Sequence, residues 1–170
     1  MSLFALLQTG CLIAFALLLL LGAWQDLRTL QIADAVSLGI VGVFVVWALG
    51  GWVLGTLSLA TVGLALACAA AVFAAGAVAF AAGVLGGGDV KLLAAASLFA
   101  GMGPISDFLL VTALVGGVLG VAVLAGAPLS PLAQTPAADA TLRTRLRSGL
   151  PYGPAIAAGG LWVAASLIGH

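Results

Sequence analysis

The chain has 170 residues, 64% of them hydrophobic and 6% charged, with five Asp and no Glu set against four Arg and one Lys. Soluble domains carry roughly 25% charged residues, so composition excludes a water-soluble globule, and a formal net charge of zero leaves no basic footprint for nucleic acid. The fold class this predicts is all-α: a polytopic membrane protein of six transmembrane helices, forming one domain over residues 1–170.

The first apolar run, Leu3–Trp24, is 22 residues long, about 33 Å as a helix. Met1 to Thr9 holds no Arg or Lys, so the basic region of a cleavable signal is missing and a retained first span is expected. A polar stretch follows at Gln25–Gln31. The second span is predicted at Ile32–Leu49, with Gly50-Gly51 as a turn, and the third at Leu54–Ala82. After a glycine-rich break at Gly83–Gly88, the fourth runs Asp89–Met102, only 14 residues. That is about 21 Å against a hydrocarbon core of about 30 Å, so either its start sits inside the membrane or the bilayer thins there. Gly103-Pro104 turns the chain into a fifth span at Ile105–Ala125. Residues 126–150 form the long polar loop, carrying Pro128, Pro131, Pro136, Arg143, Arg145 and Arg147, and the sixth span is Pro151–Ile168.

Six spans place the segments 25–31, 83–91 and 126–150 on one side, and these hold every Arg and Lys in the chain. The positive-inside rule makes that side cytoplasmic and both termini external. Trp24 and Tyr152 then fall near the inner interface and Trp47 and Trp52 near the outer one, as in an aromatic belt, with Trp162 as a mid-span packing residue. Cys11 and Cys68 lie apart in apolar runs and form no CxxC pair, so they read as packing residues and no metal site is expected. His170 reads as an inert tail.

Charge is scarce, so each acid is informative. Asp139 reads as solvated loop, Asp107 as an acid at the N-terminal end of the fifth span, and Asp34 as a helix cap at the start of the second. Arg143, Arg145 and Arg147 suit anionic lipid headgroups. Asp26 and Asp89 differ: they end one span and open another on the same membrane face. Two carboxylates brought close cannot both ionise cheaply, so a pair shares a proton. The ionised member takes a proton from water and the other donates one to a carbonyl, which is the chemistry of peptide hydrolysis. The bland alternative is two unrelated helix-end acids, one of them salt-bridged to Arg28 or Lys91. Gly86-Gly87-Gly88 lacks side chains beside Asp89, which lets an extended peptide backbone approach.

Gly86-Gly87-Gly88-Asp89-Val90-Lys91 resembles the GxGD-x-K motif of type IV prepilin peptidases, intramembrane aspartyl proteases. Asp26-Leu27-Arg28 followed by Ile32 resembles that family's first-aspartate motif, although Ala33-Asp34 stands where Pro-Asn is usual. Pro151-Tyr152-Gly153-Pro154-Ala155-Ile156 is similar to the opening of the last span in short members serving Flp/Tad pili. The resemblance implies Asp26 and Asp89 as the catalytic pair. It also implies supporting or substrate-binding roles for Gly86, Gly87, Gly88, Lys91, Arg28, Asp34, Pro151, Tyr152 and Gly153. Larger members carry a cytoplasmic insert with CxxC zinc pairs and a methyltransferase activity. This chain has no such insert, which implies a peptidase without N-methylation, metal or cofactor. The implied partner is a prepilin or pseudopilin, a short basic leader ahead of a hydrophobic helix, at the bacterial inner membrane among its lipids. Two other classes compete: a small proton-coupled transporter, disfavoured because the acids cluster at one face without a clear repeat, and a non-catalytic pilus-assembly subunit.

Overall fold

The computed structural model describes residues 3–101, 103–127 and 151–168, and the elements among them are all helical. Asp139, Arg143, Arg145, Arg147 and His170 lie outside the described residues. Helix α1 is Leu3–Thr29, α2 Asp34–Val53, α3 Leu59–Ala81, α4 Gly87–Ala100, α5 Ile105–Leu124 and α6 Gly153–Ile168.

Four helices are long and apolar enough to cross a membrane: α1 (as Ala5–Thr29), α2, α3 and α5. At 14 residues α4 is shorter than any of these, and α6 has 16. Of the six predicted spans, four therefore have spanning length among the described residues.

Helix boundaries depart from the sequence reading where packing outweighs local composition. The polar stretch after Trp24 is helical as far as Thr29, which puts Asp26 inside the last turn of α1. The chain leaves the helix at Leu30, in the left-handed region at φ 51°. Gly50 and Gly51 are not a turn: α2 runs through them to Val53. Side chains there would collide with Leu7 and Leu57, so these glycines serve close packing. The turn falls at Gly55, φ 70°. Ser58 then caps α3, its hydroxyl accepting from the Thr61 N–H at 3.1 Å.

Helix α4 is central. It packs against α2, α3 and α6 and only lightly against α5, while α1 lies against α2 and α6. Phe99 of α4 is fully buried, stacked on Phe15 of α1 at 4.3 Å between ring centroids and met edge-on by Phe44 of α2 at 5.4 Å. Trp47 joins this cluster at 5.8 Å from Phe99, so it is a core residue, not part of an interfacial belt. Trp162 is the reverse case: read as a packing residue, it is 55% exposed. Helices α2 and α6 are apolar on every side, so their sequences do not reveal which face turns inward. Lipid is as apolar as leucine, and such a bundle is held by close dispersion contacts, not by exclusion of water. Gly159 and Gly160 show this: a Cβ on either would overlap Thr112 or Leu19, in α5 and α1. Outermost are α3, with only Ala65 and Gly76 buried, and α5, with only Phe108 and Gly120.

Candidate active site

The end of α1 and the starts of α4 and α6 meet at one end of the bundle, and each brings one part of a polar cluster. Asp26 comes first. An aspartate in the last turn of an apolar helix would normally reach for water, yet this one is 4% exposed. Burial at that depth needs a hydrogen-bond partner, and Gly153 provides it: its backbone N–H donates to Asp26 Oδ2 at 2.6 Å. That N–H is free to do so because it belongs to the first turn of α6, where backbone donors have no partner within the helix. The residue must be glycine, since a Cβ at 153 would lie 2.7 Å from Asp26 Cβ. Pro151, fully buried two residues earlier, fixes the approach of the chain to this contact.

Asp89 is the third residue of α4 and partly buried. Its Oδ2 accepts from the Gly86 N–H at 3.1 Å, so the acid folds back over the start of its own helix, as N-terminal acids do. Asp89 and Tyr152 share the wall of one cavity of about 450 Å³. Its lining is otherwise nearly all apolar and includes Thr112, Gly116, Gly117 and Gly120 of α5.

Each glycine of the triplet has its own surroundings. Gly86 precedes α4 and supplies the N–H for Asp89, while Gly87 has only Phe80 near its open side, at 3.7 Å. Gly88 does meet a backbone, but it is the chain's own: a Cβ there would sit 3.2 Å from the Ile32 carbonyl oxygen. Its smallness lets α4 settle on the connection between α1 and α2, which also positions Asp26. That connection is tied further by Gln25, whose Oε1 accepts from the Ala33 N–H at 3.2 Å.

Three of the residues expected to support the site stand apart from it. Asp34 does not cap α2: the N-cap is Ala33, without a side-chain bond. Instead both Asp34 carboxylate oxygens accept from Lys91 Nζ, at 2.7 and 2.8 Å, across a separation of 57 residues that no local pattern foretells. Arg28 lies over the Trp24 ring, 4.8 Å from its centroid. Neither Asp26 nor Asp89 has a cationic partner among the described residues, which removes the helix-end salt bridge as an explanation of the pair. Thr112 and the α5 glycines went unnoticed in the sequence. The spacing Gly116–Gly117–Gly120 was the available signal, since it places three small residues on one helical face.

The helical bundle thus gathers at one end, beside an apolar cavity, two carboxyls that have no cationic partner among the described residues. The model of the type IV leader peptidase family matches residues 13–121, and the chain belongs to that family of peptidases. The match takes in Asp26 and Asp89 and stops before α6. No curated protein and no solved structure matches the chain.

Proposed function

We propose that the protein is an aspartic endopeptidase that removes the leader of type IV prepilins or pseudopilins, with Asp26 and Asp89 as its catalytic pair. The observation that carries this reading is the buried Asp26 carboxyl, held by the Gly153 N–H and gathered at the same end of the bundle as Asp89, with no cationic partner for either acid among the described residues. One carboxylate takes a proton from the attacking water while the other, protonated, gives its proton to the scissile carbonyl oxygen. The tetrahedral intermediate then collapses as the first carboxyl returns its proton to the departing amine. Each acid is fixed by one backbone N–H, so neither has to reorganise during the reaction.

The substrate is read from charge and topology. A positive leader suits a site whose nearest charges are two carboxyls. Every Arg and Lys falls in segments that six spans place on one side, so the site opens to the cytoplasm of the bacterial inner membrane and both termini face the periplasm. This arrangement needs α4 and α6 to count as spans despite their length. The chain's two cysteines, Cys11 and Cys68, lie in α1 and α3 and build no zinc pair, which supports the short, Flp-type class of peptidase that does not methylate the new amine.

The test is co-expression with a Flp-type prepilin carrying a C-terminal tag, followed by a mobility shift on a gel. Cleavage that requires both aspartates supports the reading. Cleavage that persists in Asp26→Asn and Asp89→Asn removes it.

A further inference from the structure

We propose that the groove bounded by α2, α3 and α4 binds one phospholipid whose headgroup carries both a phosphate and a primary ammonium, as phosphatidylethanolamine does. This site lies on the face of α4 turned away from Asp89, and its occupant is independent of the leader-peptidase reading.

The first observation is shape. The groove encloses about 500 Å³. Helix α4 is its floor, since α4 packs on both α2 and α3 while those two scarcely touch. Asp34 and Lys91 stand at one end. From there the lining runs to Val41 on α2 and to Leu98 on α4, and on α3, which returns the other way, from Phe73 back to Leu66. Each stretch advances about 10 Å along its helix. Three helices thus agree on one channel, charged at its mouth and apolar below.

The second observation is that the charges at the mouth retain bonding capacity. Lys91 Nζ donates to both Asp34 oxygens, at 2.7 and 2.8 Å, and the two side chains stay 49% and 64% exposed. An ammonium has three donors and a carboxylate about four acceptor sites. Lys91 therefore keeps a donor for a phosphate oxygen, and Asp34 keeps acceptors for a primary ammonium. A zwitterion laid antiparallel to this pair meets opposite charge at both of its ends. An anionic headgroup without an ammonium reaches Lys91 but sets its charge beside Asp34, and a choline headgroup has the right charges but no N–H to donate.

The third is Ser37. It lines the same groove and is 7% exposed, and its hydroxyl has no hydrogen-bond partner among the described residues. Buried hydroxyls are paired as a rule, so one left open in the wall of a groove marks a place for an outside acceptor. Ser37 lies one turn below Asp34 on α2, about 4.5 Å along the axis. The polar interface of a bilayer is about 5–8 Å thick. With the ion pair among the headgroups, the hydroxyl falls at the inner edge of that layer, where the ester carbonyls of a phospholipid accept hydrogen bonds. Headgroup and ester thus find partners in the order in which a lipid carries them. The apolar wall from Ser37 to Val41, about 6 Å deeper, receives the start of an acyl chain.

The experiment places the full chain in bilayer discs of equal parts phosphatidylethanolamine, phosphatidylglycerol and phosphatidylcholine. The lipids retained after mild detergent extraction are then measured by mass spectrometry. Phosphatidylethanolamine is expected to be retained about fivefold over either of the others, the factor that 1 kcal/mol carries. Lys91→Met removes the phosphate contact, and Ala70→Phe fills the groove from an exposed position on α3; each should abolish the preference. Leu114→Phe, at a 61% exposed position on α5 outside this groove, should keep it. A photo-crosslinking residue in place of Leu38, an exposed side chain of the groove wall, gives a second reading that needs none of these variants. It should capture phosphatidylethanolamine, while the same residue at position 114 should not select among the three lipids. Equal retention of all three, a preference for phosphatidylglycerol or phosphatidylcholine, a preference that survives both Lys91→Met and Ala70→Phe, or crosslinks from position 38 to a second copy of the chain would each overturn the assignment. Retention and crosslinking are read without any cleavage step, so the lipid site and the leader-peptidase reading stand or fall separately.

Discussion

Asp89 and Lys91 stand two residues apart on α4, about 200° around the helix from one another, and the two faces they mark have opposite electrostatics. On one, Lys91 meets Asp34 at 2.7 Å, with 49% and 64% of the two side chains exposed. That pair is neutral and solvated, and pairs of this kind contribute little to stability. On the other face are Asp89 and, at the same end of the bundle, Asp26, 4% exposed, and among the described residues the donors to them are the backbone N–H groups of Gly86 and Gly153. Asp34 and Asp89, each in the first turn of its own helix, thus have contrary fates. What separates them is not residue type but whether burial is compensated by a counter-charge. The bundle neutralises one aspartate with its lysine and leaves two others without a cationic partner among the described residues; an acid pair buried in this way is what the proposed proton transfers call for.

The comparison breaks most visibly at the buried face. Asp26→Asn and Asp89→Asn should each lower prepilin processing by a factor on the order of 10²–10⁴, the range of acid–base catalysis, with protein levels on a blot unchanged. The losses should not add, because the two acids act as one unit; a double variant far worse than either single one contradicts the shared mechanism. Next comes Gly153→Ala, which keeps both acids but forces a Cβ to within 2.7 Å of Asp26 Cβ. Misplacing a catalytic group by an ångström costs about 10²-fold, so processing should drop by that order while helix content, measured by circular dichroism, stays. Gly88→Ala is smaller. Its new methyl presses on the Ile32 backbone, and overpacking of this sort costs about 1–3 kcal/mol, visible as a lower unfolding midpoint in detergent. The smallest effect belongs to the solvated face. Asp34→Asn and Lys91→Met should each change processing by less than about fivefold, the factor that 1 kcal/mol carries. If Asp34→Asn were inactive while Asp26→Asn cleaved normally, the first catalytic aspartate would be Asp34 and the two faces would exchange roles.

How far the sequence reveals this arrangement depends on the range of the interaction involved. Asp26 and Asp89 were visible because five acids in an apolar chain are conspicuous, and the helices because apolar runs of that length permit little else. The Asp34–Lys91 pair was not visible, since a helix-start aspartate is satisfied equally well by a cap or by a cation 57 residues away. Gly50 and Gly51 misled for a related reason. Glycine marks both a turn and a tight helix contact, and only the position of Leu7 and Leu57 decides between them. Trp47 and Trp162 exchanged places because helices that are apolar all round carry no periodicity from which to read an inner face. The role of Gly153 was legible only as a motif. Its reason, an N–H aimed at a buried carboxyl 127 residues away, is purely tertiary.

Among the described residues, the two shortest helices are the two that start at the candidate site: α4 with 14 residues and α6 with 16. At 1.5 Å per residue they measure about 21 and 24 Å, some 6–9 Å less than a typical hydrocarbon core. In the proposed mechanism hydrolysis consumes one water for every bond cut, and that water has to reach carboxyls packed among apolar side chains. A pair of helices too short for the bilayer shortens the dry distance it must travel. The supply of the second reactant is therefore set partly by helix length, and the catalyst becomes sensitive to its solvent: each ångström of added lipid thickness costs a fraction of a kcal/mol in mismatch and lengthens the same dry path. On the proposed mechanism, turnover is expected to fall as the surrounding bilayer thickens.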